Sequence, residues 1–166
     1  MERDYLLADE ILFDAKPTAV PYNYRISYKI SQLLLILSMC CARGGCSLIK
    51  LNMISMAMCT PQEGTLLIEI VNGRITAPPV VRFDPAVNRA ILYAITDSLI
   101  CQQKDGKLKL TAKGKLLVNS IQSEPNLMYH EKNFLSRLST KLTEEKIKMI
   151  MANWRYSHVT DQPCKS

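Results

Sequence analysis

Residues 84–114 carry a run of local signals in an order that few folds accept. Asp84 is a strong helix N-cap, and Pro85 suits the first helical position, where its missing N–H costs nothing. The helix that follows, to about Leu99, turns Val87, Ala90, Ile91, Ala94 and Ile95 inward. Leu99–Leu110 then reads as two short strands around Asp105-Gly106, a dipeptide suited to the positive φ of a tight hairpin turn. Thr111 caps the next helix, which carries Leu116, Leu117 and Ile121.

The rest of the chain is punctuated as helices. A first helix over Tyr24–Arg43 keeps Ile26, Ile30, Leu33, Leu34 and Leu37 on one face, and Gly44-Gly45 supplies a left-handed C-cap. Ser47 caps a second, Leu48–Met58, with a Leu51, Ile54, Met58 stripe. Thr60-Pro61 opens a third, Gln62–Val71, ended by Asn72-Gly73. Ala77-Pro78-Pro79 is a rigid bend, and Val80–Phe83 reads as a short strand. Glu124-Pro125-Asn126 breaks the chain before two amphipathic helices, Leu127–Lys141 and Glu144–Trp154. The second is capped by Thr143, with Glu144 and Glu145 at the positive end of its dipole. A helix feeding a basic hairpin and then a Leu-Thr-x-x-Gly helix start is the order of a winged helix. The predicted fold is mainly α with a small β-ribbon: a docking arm at 1–23, a winged-helix-like module at 24–123, a C-terminal helical extension at 124–156 and a flexible tail at 157–166.

At 166 residues, the chain is long enough for one domain with its own core, and 48% hydrophobic with 22% charged residues excludes a disordered or coiled-coil protein. The most apolar run, Leu33–Ala42, is half the length a membrane span needs, and Met1-Glu2-Arg3-Asp4 is not a signal-peptide start. A soluble, cytoplasmic protein without membrane contact is expected. Charge is uneven: residues 1–16 carry a net −3, residues 17–101 +3 and residues 102–166 +6. The acidic arm also carries Tyr5, Leu6, Leu7, Ile11, Leu12 and Phe13, so it docks either on its own domain or on a partner.

Catalysis finds little to work with. No GxSxG, Walker-type phosphate loop or HExxH occurs, and the two histidines, His130 and His158, are far apart. The six cysteines form no CxxC and sit mostly in apolar runs, where a thiol behaves as a small hydrophobe. No enzyme, cofactor, metal or small-molecule substrate is predicted. Lys104, Lys107, Lys109, Lys113 and Lys115 form a possible phosphate-contacting stripe on the wing. The helix in the recognition position presents Asn88, Arg89, Tyr93 and Asp97, a poor set for reading bases. Arg82, Asp84, Asn88 and Arg89 cluster near one helix start, either as a local Arg82–Asp84 or Asp84–Arg89 ion pair or as a partner-binding patch. Phe134, Leu138, Ile147, Ile150 and Trp154 are candidates for a second partner surface.

Three stretches carry a resemblance to a family. They are Leu-Leu-Ile-Leu-Ser-Met-Cys-Cys-Ala-Arg-Gly-Gly-Cys-Ser-Leu-Ile-Lys-Leu-Asn (34–52), Val-Val-Arg-Phe-Asp-Pro-Ala-Val-Asn-Arg-Ala (80–90) and Leu-Thr-Ala-Lys-Gly (110–114). Over residues 24–123 the chain resembles the middle component of bacterial ABC three-component systems, a group that includes the small subunit of Lamassu-type anti-phage defence. The family commonly carries a His and a Trp in its second helix, where this chain has Asn52 and Ser55–Met58. The resemblance implies a non-catalytic, kleisin-like adaptor that bridges an SMC-like ABC ATPase and a nuclease-like effector in a DNA-sensing complex. The competing expectation from the wing lysines is a winged-helix DNA-binding protein, either a transcription regulator or a non-specific binder.

Overall fold

The structure, a computed structural model, describes residues 21, 25–41, 44–75 and 83–159, with side chains through Ala152. Among these residues the chain is mainly helical with one small β-ribbon. In order come α1 (Ile26–Met39), α2 (Leu48–Ala57), α3 (Pro61–Val71), α4 (Pro85–Thr96), β1 (Ile100–Gln102), β2 (Leu108–Leu110), α5 (Ala112–Ser123), α6 (Tyr129–Leu138) and α7 (Glu144–Val159). The capping side chains act as their chemistry dictates. Ser47, Thr60, Asp84 and Thr111 accept backbone N–H groups from Lys50, Glu63, Ala86 and Gly114, which occupies donors that each first turn leaves open. The arm at residues 1–20, the Ala77-Pro78-Pro79 bend, Val80-Val81 and Arg82 lie outside the described residues.

The hairpin is antiparallel, with Ile100 opposite Leu110 and Gln102 opposite Leu108, and Gly106 turns it at φ +81°. On the other edge of β2, Cys46 and Leu108 exchange two backbone hydrogen bonds of 2.9 Å. The ribbon order is therefore Cys46, β2, β1, which puts a one-residue strand between the first two helices, as in a winged helix. This contact corrects the reading of Gly44-Gly45 as a helix cap. The helix already stops at Met39, where Cys40 caps it and the buried Lys50 Nζ donates to the Cys40 carbonyl at 2.8 Å. Gly45, at φ +85°, is required by the ribbon, since a Cβ there would lie 2.9 Å from the Leu108 carbonyl oxygen.

The core is organised around α1. Leu33 to Leu37 are all buried, because this helix is covered by α2, α4, α5 and α6 and by β2. Such a helix is apolar nearly all round, in keeping with its central place. Leu135, Leu138, Leu142 and Ile147 belong to the same core cluster as Leu33–Leu37. The terminal helices thus complete the domain: α6 lies on α1 and α3, and α7 on α2. The Ser47 amide donates to Glu144 Oε1 at 3.1 Å, which ties the start of α7 to the start of α2. Helix α7 runs on through Val159, past the predicted end at Trp154 and into the expected tail, since no Pro or Gly stops it before Pro163.

Two apolar assignments need correction. In α5 the buried positions are Gly114, Val118 and Ile121, while Leu116 and Leu117 face solvent. In α4 the buried set is Ala86, Val87, Ala90, Ile91 and Ala94, and Ile95 is exposed. Helix α4 also ends at Thr96 rather than near Leu99. Ser98 takes a left-handed φ of 55°, which sends Leu99 and Ile100 into the core.

Candidate functional site

The Phe83–Ala90 stretch sits where three helices meet. Asp84 does three things at once. Its Oδ1 accepts from Ala86 N at 2.8 Å, its Oδ2 pairs with Lys29 Nζ of α1 at 3.1 Å, and its own amide donates to Asn52 Oδ1 of α2 at 3.2 Å. The Lys29 side chain is 3% exposed and also donates to Ser55 Oγ at 3.4 Å. Ser55 in turn donates to Gln32 Oε1 at 3.1 Å, and Asn52 Nδ2 donates to the Leu48 carbonyl at 3.0 Å. Among the described residues no buried side-chain nitrogen or oxygen lacks a partner, so this polar junction is closed.

Among the described residues Asp84 pairs with Lys29 rather than with Arg89, and the alternative Arg82–Asp84 pairing falls on a residue outside them. Arg89 is exposed and makes no ion pair among the described residues. Asp84 is held inside the molecule and is not free to contact a partner. Asn88 and Arg89 remain available, on the outer face of α4.

That outer face exposes several large apolar side chains. Leu92 is 65% exposed, Tyr93 55% and Ile95 37%, and Phe83 just before the helix is 58% exposed. Helical spacing puts Arg89, Leu92, Tyr93 and Thr96 on one stripe, with Asn88 and Ile95 beside it. A contiguous apolar stripe with one cation is the composition of a protein-docking face. Its donors for base edges or phosphates are few, with Arg89 the single cation and Asn88 beside it.

The wing is less basic in effect than in composition. Lys107 Nζ pairs with Asp105 at 2.8 Å, an interaction that lowers the Asp105 carboxyl and raises the Lys107 ammonium from their ordinary values. Lys113 Nζ donates to the Asp97 carbonyl at 2.8 Å, where it meets the negative end of α4. Lys104, Lys109 and Lys115 are exposed, without ion pairs among the described residues.

The terminal-helix candidates divide similarly. Leu138 is 1% exposed and Ile147 3%, so both are consumed by the chain's own core and are corrected as partner contacts. Phe134 and Ile150 are half-buried against that core, and Phe134 rests where a side chain on Gly64 would collide with its ring at 3.2 Å. For Trp154 only the backbone, within α7, is described.

Of the described cysteines, Cys40 and Cys46 are buried, Cys41 is half-buried, and Cys59 and Cys101 are exposed. Burial pushes the Cys40 thiol up to about 12, and its Sγ donates to the Leu135 carbonyl at 3.7 Å. The Cys46 thiol contacts Cys41, which raises Cys46 and lowers Cys41. Among the described residues no three His, Cys, Asp or Glu side chains come together as metal ligands. With iodoacetamide at pH 8, Cys40 and Cys46 should stay unmodified in the folded chain and react once it is denatured, whereas the half-exposed Cys41 should react without unfolding. Peptide mass mapping checks this, and native labelling of Cys40 would contradict its place in the core.

Among the described residues no helix is long and apolar enough to cross a membrane. No protein-family model, no curated protein and no solved structure matches the chain.

Proposed function

We propose that this chain is a non-catalytic adaptor that joins partner proteins through the outer face of α4. The observation that carries this reading is the exposure of Leu92 and Tyr93 on a helix that offers one cation, Arg89, in the position where a DNA-reading winged helix would carry several. Apolar and aromatic side chains of this kind form the energetic centre of protein interfaces. The resemblance to the middle component of ABC three-component systems supplies the partners: an SMC-like ABC ATPase and a nuclease-like effector, in a cytoplasmic complex that senses foreign DNA. The adaptor holds the effector to the ATPase, and catalysis resides in those two.

The test is co-purification of the tagged chain expressed with its neighbouring genes. A coiled-coil ATPase and a second, effector-sized protein should be recovered together. Leu92→Glu with Tyr93→Ser should cut the recovery of one of them at least tenfold, corresponding to a loss of about 1.4 kcal/mol or more. A chain that purifies alone as a dimer would instead favour the DNA-binding reading through Lys104, Lys109 and Lys115. In that case Lys104→Glu with Lys109→Glu should abolish a steeply salt-dependent affinity for duplex DNA.

A further inference from the structure

A groove of about 550 Å³ runs between the end of α1, strand β2 and the first turns of α5. Its lining mixes the apolar Leu37, Leu108, Leu110 and Val118 with polar side chains, among them Lys109 and Lys115. Both lysines are exposed and without ion pairs among the described residues. Cations set among apolar side chains suit a ligand that itself mixes acidic and apolar groups. Phosphate backbone, which offers charge without apolar surface, would leave those apolar side chains uncovered.

We infer that this groove is the docking site of the chain's own acidic N-terminal arm. Residues 1–16 combine five carboxylates with Leu6, Leu7, Ile11, Leu12 and Phe13 and carry a net −3, against the +6 of residues 102–166, which contribute both lysines. Reach permits it. The segment before Ile26 spans up to about 80 Å when extended, whereas α1 is only about 21 Å long. The arm leaves the start of α1, and the groove opens at its end, beside Leu37 and Cys41. Tethering keeps the arm at high effective concentration, so a modest intrinsic affinity suffices to hold it in cis. Binding there covers the flank of the wing and leaves the α4 face open.

The experiment uses the full chain with Phe13 replaced by photoreactive benzoylphenylalanine, irradiated at low micromolar concentration and mapped by peptide mass. Crosslinks within one chain should fall in residues 37–41 or 108–119. Lys109→Glu with Lys115→Glu should lower their yield at least fivefold. Carbodiimide coupling of the unsubstituted chain gives an independent readout, with amide bonds expected from Asp9, Glu10 or Asp14 to Lys109 or Lys115. Crosslinks confined to the α4 face, crosslinks joining isotopically light and heavy copies, or a yield indifferent to both charge reversals would each overturn the assignment.

Discussion

Gly114→Ala should lower the melting temperature by roughly 4–8 °C, even though alanine is the better helix former. In a helix interior that exchange normally gains about 1 kcal/mol. Here Gly114 sits in the first turn of α5, pressed against the chain at Leu99, and an added Cβ would fall well inside contact distance of the Leu99 carbonyl oxygen and 3.0 Å from its carbon. That carbonyl cannot retreat easily, because it accepts from Thr111 N at 3.1 Å, and Thr111 Oγ1 accepts from the Gly114 amide at 3.0 Å. The collision is with backbone, so α5 must shift as a unit. Overpacking of this kind costs about 1–3 kcal/mol and sometimes more. Because the clash is with backbone, the upper end of that cost, about 3 kcal/mol, applies. With the propensity gain subtracted a net loss of about 2 kcal/mol remains, and a domain of this size loses about 2–4 °C per kcal/mol. Gly44→Ala is the matched control: nothing lies within 4 Å of its Cβ position, so its melting temperature should hardly move. Equal melting temperatures for the two variants would show that α5 does not approach Leu99 so closely.

The same glycine explains where sequence reading succeeded and where it failed. Asp84-Pro85, Asp105-Gly106 and Thr111 each act on their immediate neighbours, so the start of α4, the hairpin turn and the start of α5 were legible without a fold. The rotation of α5 about its axis was not. Judged by side-chain size, Leu116 and Leu117 belong inside, but the close approach at Gly114 sets the inward stripe to Gly114, Val118 and Ile121. Gly45 carries a related lesson, because its conformation answers to Leu108, more than sixty residues away, and no local rule reports such a partner.

For the candidate site, the polar residues were the missed signal. Lys29 and Gln32 stand three apart in a helix that is otherwise apolar around its buried side, as do Asn52 and Ser55 in α2. Polar pairs at helical spacing on buried faces announce a network that must be closed by something. Here Asp84 closes it. The sequence reading placed Asp84 among local arginines because they are its neighbours in the chain, whereas its partner arrives through tertiary packing. With Asp84 engaged internally, the side chains this stretch leaves exposed are Phe83, Asn88 and Arg89, followed along α4 by Leu92 and Tyr93.

The Lys29–Asp84 pair should therefore respond asymmetrically to the removal of its two members. Asp84→Ala removes the N-cap of α4, worth about 0.5–2 kcal/mol, and leaves the buried Lys29 ammonium with Ser55 Oγ, at 3.4 Å, as its remaining side-chain partner among the described residues. Breaking a buried ion pair from one side costs about 3–5 kcal/mol, so this variant should lose about 4 kcal/mol, a large share of the stability of an ordinary domain. Lys29→Met keeps the stem that fills the space and deletes the charge. The carboxylate left behind is 21% exposed and still caps α4, so water can serve it and the loss should be smaller, about 1 kcal/mol. Asp84→Asn separates the two roles of the aspartate, since the amide oxygen can still accept from Ala86 N while the ammonium loses its counter-charge. Combining Lys29→Met with Asp84→Asn removes both charges and keeps the cap, and the double variant should be more stable than Asp84→Asn alone by about 2 kcal/mol. Urea unfolding of the four variants measures these differences directly. If Asp84→Asn and Lys29→Met instead add independently, the contact does not couple the first turn of α1 to the start of α4. The outer face of α4 would then be held by apolar packing alone.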